Sequence, residues 1–257
     1  LWRMMEEPRA RALYLFPTKA LAQDQLRALR ELAGRALPAL QYGIYDGDTP
    51  RADRGRLRRS ASILLTNPDM LHLGILPNHT MWADFLARLR YVVIDEAHAY
   101  RGVFGSQVAC VLRRLRRLCA FYGSQPTFIC CSATIANPGE HVAALAGLPV
   151  HVVSDDGAPA GPRQFALWNP PFLDPAHSAR RSANGEAAFL QTELAAAGIR
   201  HIVFARSRRV AELIIRYARR ALAERAPELG QRIKAYRAGY LPEERRRIER
   251  ELFEGRL

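Results

Sequence analysis

The sequence predicts an α/β protein with mainly parallel sheets, and three observations carry that reading. First, short runs such as Ala12–Phe16, Ser62–Thr66, Tyr91–Ile94 and Thr127–Cys131 are apolar at successive positions. A strand buried on both faces, as in the interior of a parallel sheet, has that pattern. Second, each run ends in a polar or proline-containing turn that opens into a stretch with helical spacing, which is the βαβ rhythm. Third, the rhythm stops in a Gly-, Pro- and polar-rich stretch and then resumes. At 257 residues the chain has room for two modest domains. The expected division is residues 1–153, a connection over 154–185, and 186–257.

Taken in order, Ala12–Phe16 is a strand closed by Pro17-Thr18. A helix from Lys19 follows, with Leu21, Leu26, Leu29 and Leu32 on one side and a stop expected at Gly34. Leu40–Tyr45 is a weaker strand. Its end, Asp46-Gly47-Asp48-Thr49-Pro50, lacks the later ligands of a calcium loop and is a turn before a basic stretch. Ser62–Thr66 is a strand, and Asn67-Pro68-Asp69 begins a helix at its tip. Residues 77–90 hold a loop and a short amphipathic helix. After Tyr91–Ile94 a long helix buries Val108, Val111, Leu112, Leu115 and Leu118, with Arg113, Arg114, Arg116 and Arg117 expected on a solvated face. Thr127–Cys131 is a strand that ends in Ser132-Ala133-Thr134. The connection contains a short strand near Phe165–Trp168. Beyond it come helix 186–197, strand His201–Phe204, helix 207–225, strand Ile233–Tyr236 and a helix from Pro242.

Composition narrows the classes. Apolar residues make up 49% and charged residues 25%, so a folded core rather than wholesale disorder is expected. No apolar run approaches the roughly 18 residues of a membrane span, and no signal peptide precedes the first strand. No membrane partner and a cytoplasmic location follow as expectations, with nucleoid association if the source is bacterial. Cys110, Cys119, Cys130 and Cys131 lack the paired spacing of a zinc site and suit buried thiols in a reducing compartment. The net charge of +13 favours a polyanion, nucleic acid first. Lys19 and Lys234 are the only lysines, so part of that charge can reflect an arginine-rich source composition.

The chemistry concentrates at strand tips. Tyr91–Ile94 runs straight into Asp95 and Glu96, with His98 two residues on. Open α/β sheets place ligands at the carboxyl ends of their strands. Adjacent carboxylates on opposite sides of an extended chain can serve a metal and a water separately. An apolar strand followed by Asp-Glu suits the half of a nucleotide hydrolase that holds Mg²⁺ on the phosphates. A solvated pair of strand-end acids is the plain alternative. Pro17-Thr18-Lys19 and Thr66-Asn67 offer hydroxyls and helix N-termini that suit phosphate.

In order, Pro17-Thr18-Lys19-Ala20-Leu21, Thr66-Asn67-Pro68-Asp69, Asp95-Glu96-Ala97-His98 and Ser132-Ala133-Thr134 resemble motifs Ia, Ib, II and III of superfamily 2, the DEAD/DEAH-box helicases. Tyr45–Pro50, Gly102-Val103-Phe104-Gly105-Ser106 and Tyr236-Arg237-Ala238-Gly239-Tyr240 are similar to one branch, the RecQ-like MrfA group of bacterial and fungal DNA-repair helicases with a C-terminal zinc-binding region. The resemblance covers nearly the whole chain. It implies two RecA-like domains with ATP in the cleft and a nucleic-acid strand across the top. It implies that Asp95 holds Mg²⁺ through water, that Glu96 positions or deprotonates the attacking water, and that His98, Ser132 and Thr134 couple nucleotide state to the strand. Pro17, Thr18, Lys19, Thr66 and Asn67 would touch backbone phosphates, as would Arg206, Ser207 and Arg208 in a motif IV position, with Arg237 and Gly239 beside them.

The departures matter too. No G-x-x-x-x-G-K-[ST] occurs, so the phosphate loop is expected before Leu1, and motifs V and VI with the arginine finger after Leu257. The chain then resembles the middle of a 3′–5′ DNA helicase that is inactive as an isolated piece. Single-stranded and forked DNA are the implied partners. RNA stays open, because phosphate contacts do not see the 2′-hydroxyl. A non-hydrolysing nucleic-acid-binding module and a duplex DNA translocase also stay open.

Overall fold

The computed structural model describes residues 1–257 apart from Asp156, Ala160, Pro175, His177, Ser178 and Ala238, and apart from the side chains of Arg35, Ala36 and Pro242. Parts of the expected connection, and the middle of the Tyr236–Tyr240 run, therefore lie outside the described residues. The chain forms two compact units, Leu1–Ala158 and Pro159–Leu257.

In the first unit α1 (Trp2–Glu6) precedes β1 (Arg11–Leu15), and α2 (Lys19–Ala36) leads to β2 (Tyr42–Ile44). Next come α3 (Arg51–Ser60), β3 (Ile63–Thr66) and α4 (Pro68–Met70), which winds on through residues 71–82 into α5 (Ala83–Ala87). The unit closes with β4 (Leu89–Ile94), α6 (Gly102–Phe121), β5 (Thr127–Cys130) and α7 (Pro138–Ala146). The sheet order is β2-β3-β1-β4-β5 and every neighbouring pair is parallel. Alternate residues of each strand feed opposite faces. Leu13, Leu15, Leu64, Val92 and Ile94 pack with Trp82, Phe85, Leu112 and Leu115 on one side. Ala12, Ile63 and Leu65 pack with Met4, Ala22 and Leu26 on the other. Apolar residues at successive positions are what two such faces require. By contrast β5 is an edge strand with exposed Thr127 and Ile129.

Two boundaries move. Helix α2 runs through Gly34 to Ala36, because Ala33 is fully buried and the Leu37 N–H donates to the Ala33 carbonyl. Packing there outweighs the roughly 1 kcal/mol cost of a helical glycine. Strand β4 begins two residues early, at Leu89, where pairing with Arg11 extends it.

The second unit contains α8 (Ala183–Ala196), α9 (Arg208–Arg225), α10 (Pro227–Arg232) and α11 (Pro242–Phe253), with Ile215, Ala218, Leu222 and Ile233 packed together. The strands expected at Phe165–Trp168, His201–Phe204 and Ile233–Tyr236 are not formed; the described residues here hold one isolated bridge, Phe172 with Arg180. Apolar alternation records a demand for burial, whereas a strand also needs a hydrogen-bonding neighbour. Phe165 and Leu167 are exposed, and the other two segments line a cavity of about 820 Å³ instead of pairing.

Candidate functional site

Five parallel strands place all their carboxyl ends on one edge. Register aligns them, with Leu15 opposite both Thr66 and Ile94, Ile44 opposite Leu65, and Ile94 opposite Cys130. Pro17–Lys19, Tyr45–Thr49, Thr66-Asn67, Asp95–His98 and Cys131–Thr134 therefore emerge side by side from a rigid sheet.

The acidic turn is built by backbone bonds to its neighbours. The Asp95 N–H donates to the Leu15 carbonyl at 3.0 Å, Cys131 N–H to Ile94 at 2.9 Å, and Ala97 N–H to Cys131 at 2.8 Å. Asp95 Oδ1 accepts the Glu96 N–H at 2.9 Å. Glu96 then takes φ of 50°, and it is the one non-glycine residue with positive φ among the described residues. The pleat alternation expected to separate Asp95 from Glu96 ends at Ile94, so a left-handed turn sets their directions. Holding a β-carbon there costs roughly 1–2 kcal/mol.

Beyond the turn, His98 links two strand tips. Its Nδ1 accepts the Ala133 N–H at 3.1 Å, and its Nε2 lies 3.0 Å from Glu96 Oε2. A backbone N–H can only donate, so Nδ1 is the acceptor and the hydrogen sits on Nε2, donating to the carboxylate. The Ala133–His98–Glu96 chain is thus directional. The Ser132 hydroxyl donates to the Ala133 carbonyl at 2.8 Å, and Thr134 is exposed beside it. His141 Nε2 donates to the Ala97 carbonyl at 2.9 Å and braces the turn from α7. Under it lies Tyr100, fully buried, with a hydroxyl that has no partner among the described residues. Burial, then the negative charge of Asp95, raises the pKa of that phenol. His141 and Tyr100 carry no signal in the sequence, and Ala133 only its place in the Ser132-Ala133-Thr134 run. A backbone donor leaves no residue-type signal, and the other two look like core residues.

The phosphate-type tips are as capped as their sequence suggests. Thr18 accepts the Leu21 N–H at 3.4 Å and Asn67 accepts the Met70 N–H at 2.7 Å, each opening a helix. Pro17 lies next to Thr18 at the β1 tip. Thr66 is placed differently from a surface contact: it is buried, and its hydroxyl donates to the Tyr45 carbonyl at 2.6 Å, holding the neighbouring turn. Lys19 Nζ donates to Asp48 at 2.7 Å.

In the second unit Ser207 caps α9 by accepting the Val210 N–H at 3.2 Å, and Arg206 and Arg208 are exposed. Arg237 donates to Glu212 at 2.7 Å and its guanidinium stacks 4.4 Å from the Tyr240 ring centroid. That hydrogen bond holds the Glu212 carboxyl below the usual range. A β-carbon on Gly239 would fall 2.4 Å from the Arg237 guanidinium and 3.6 Å from that of Arg208, so the two cations converge on a glycine.

Against this geometry stand the comparisons with known proteins. The sequence model of the DEAD/DEAH box helicase family matches residues 1–141. The chain belongs to that family. It is 50% identical over 246 residues to the ATP-dependent helicase YprA of Bacillus subtilis, covering 95% of this chain and 32% of that protein. It is 41% identical over 264 residues to the ATP-dependent helicase hrq1 of Schizosaccharomyces pombe, covering all of this chain and 25% of that one. The crystal structure of the DUF1998 helicase MrfA bound to DNA and AMPPNP superposes with a TM-score of 0.91 and 48% identity, over 98% of this chain and 35% of that one. The MrfA-group resemblance holds in both sequence and structure. The chain spans about a third or less of the length of these relatives.

Proposed function

We propose that this chain is the strand-gripping and water-activating part of an ATP-dependent 3′–5′ DNA helicase that works in DNA repair. The hydrogen-bonded Ala133–His98–Glu96 chain carries the reading, because it ties the base candidate to the tip of β5, where Ser132 and Thr134 sit. Relatives bound to DNA and to an ATP analogue support it. So does an edge of helix N-termini suited to phosphates, which grip a strand without reading its sequence.

Glu96 orients a water and takes its proton, while the Nε2 hydrogen of His98 fixes the carboxylate's rotation. Asp95 fits a hydrated Mg²⁺: one of its oxygens is spent on the Glu96 N–H and the other faces no protein donor among the described residues. No cluster of three or more His, Cys, Asp or Glu able to hold a metal occurs among the described residues. A single carboxylate is the Mg²⁺ arrangement in which waters and ATP phosphates complete the shell. When bound, the ion neutralises charge on the phosphates. Thr18, Lys19 and Asn67 with Pro17 in the first unit, and Arg206, Ser207, Arg208, Arg237 and Gly239 in the second, contact the strand backbone. Thr66 serves them indirectly by fixing the Tyr45 turn.

The test is Glu96→Gln in the full-length protein. DNA-stimulated ATP turnover falls by about 10²–10⁴-fold, the usual worth of a general base, while binding to single-stranded DNA persists. Turnover near wild type with intact binding sinks the role given to Glu96.

A further inference from the structure

Lys19, one of only two lysines in the chain, is already paired. Its partner Asp48 stands on a turn built far more firmly than a surface loop needs. Asp46 is 5% exposed; its Oδ1 accepts the Asp48 N–H at 2.9 Å and lies 3.2 Å from the Thr49 hydroxyl oxygen. The Asp46 N–H donates to Thr49 Oγ1 at 2.8 Å. Arg54 spans the turn, donating to the Thr49 carbonyl at 3.1 Å and to the Asp46 carbonyl at 3.1 Å, and lies over the Tyr45 ring. Tyr45 is itself locked edge-on against Trp82 and accepts the Thr66 hydroxyl. The backbone that carries Asp48 is therefore fixed, although its side chain is 76% exposed and that of Lys19 50%.

Most exposed ion pairs are weak because two mobile side chains must be ordered. Here one partner is presented on a pre-ordered backbone, which lowers the cost of ordering the pair, and both ends remain open to an incoming anion. We propose that Asp48 is the resident counter-ion of Lys19, which a backbone phosphate of the bound strand must displace. Asp48 thereby sets how tightly this edge holds nucleic acid. A carboxylate that competes with phosphate weakens grip, which a translocating protein needs in order to release each phosphate it passes. The inference rests on the nucleic-acid reading of this edge and adds to it a residue that opposes binding.

The experiment measures binding of the full-length protein to a labelled oligothymidylate as a function of salt. Asp48→Asn keeps the side chain's shape, and Asp48→Ser with a melting curve checks that the turn survives. Freed of its partner, Lys19 binds phosphate without first giving up an ion pair. Affinity at low salt rises by up to about fivefold, the upper worth of such a pair. The slope of log affinity against log salt steepens by up to about 0.7, the counter-ion release of one single-strand contact. Lys19→Ala weakens binding, and adding Asp48→Asn to it changes nothing further. If Lys19→Ala weakens binding but Asp48→Asn leaves it unchanged or weaker, Asp48 only orients the lysine and the inference fails while the nucleic-acid reading stands. If Lys19→Ala binds like wild type, that reading of the edge fails and the inference goes with it.

Discussion

Glu96 is held against its own backbone preference, and that strain is measurable apart from its chemistry. Replacing it by Ala or by Gly removes the same carboxylate and the same bond to His98. The two variants differ only in whether a β-carbon occupies φ of 50°. Glu96→Gly is therefore expected to be more stable than Glu96→Ala by up to about 1 kcal/mol in urea unfolding, the left-handed strain of a β-carbon less the extra conformational entropy that glycine loses on folding. Equal stabilities would place Glu96 outside the left-handed region in solution. Tyr100 tests the same turn from below. Its buried hydroxyl has no partner among the described residues, and an unsatisfied buried group costs about 1–3 kcal/mol. Tyr100→Phe should raise the unfolding midpoint by a corresponding amount. An unchanged or lowered midpoint would mean that the hydroxyl is hydrogen-bonded in solution.

Among the elements, α6 and α7 show where helical spacing stops being informative. On spacing alone the α6 arginines lie on a solvated face. Arg116 instead donates to the Gly147 carbonyl at 2.7 Å and the Ala146 carbonyl at 3.3 Å, and Arg113 to the Ala144 carbonyl at 3.3 Å. They cap the carboxyl end of α7, where Gly147 at φ of 68° turns the chain. Arg116→Ala is expected to cost about 1–2 kcal/mol, less than a buried charged bond because the site is partly solvated. Amide exchange should quicken over residues 138–147 and spread to Ala97 through the His141 bond. Exchange that stays at the wild-type rate in α7 would refute the cap. The interior strands were legible because burial on both faces writes an uninterrupted apolar run, and their tips because caps such as Thr18 and Asn67 have few side-chain types. Tertiary arginine caps, the Asp46–Arg54 turn and the Ala133 donor were not, since their partners are backbone atoms that any residue supplies. The segments at 201–204 and 233–236 carry the same apolar signal as true strands, but pairing is a property of a neighbour and not of the run itself.

Across the molecule, charge and burial set the response to pH. Part of the +13 excess is committed to the fold, since Arg54, Arg116, Arg219 and Arg232 donate to backbone carbonyls, while Arg90, Arg225 and Arg237 are neutralised by Glu7, Glu193 and Glu212. Guanidinium groups do not titrate in the ordinary range, so alkaline behaviour passes to the thiols and to buried phenols such as Tyr14 and Tyr100. Burial pushes Cys119 up to about 11 from 9.0, and Cys130 likewise to about 11. The unfolded chain releases these protons near 9, whereas the folded chain keeps them until about 11. Over that interval the unfolded state binds fewer protons, and stability falls as pH rises. The full contribution is present below 9 and is gone above about 11. Cys119→Ala removes one of the two thiol titrations, so its stability should decline less steeply than wild type between those limits, by up to about 3 kcal/mol in total. At neutral pH the same burial predicts that Cys110, which is exposed, reacts with a thiol reagent at once and Cys119 only on unfolding. Identical alkaline slopes for wild type and Cys119→Ala would show that this thiol does not carry the shift, and rapid labelling of Cys119 in the folded protein would show that α6 is not packed against the sheet as described.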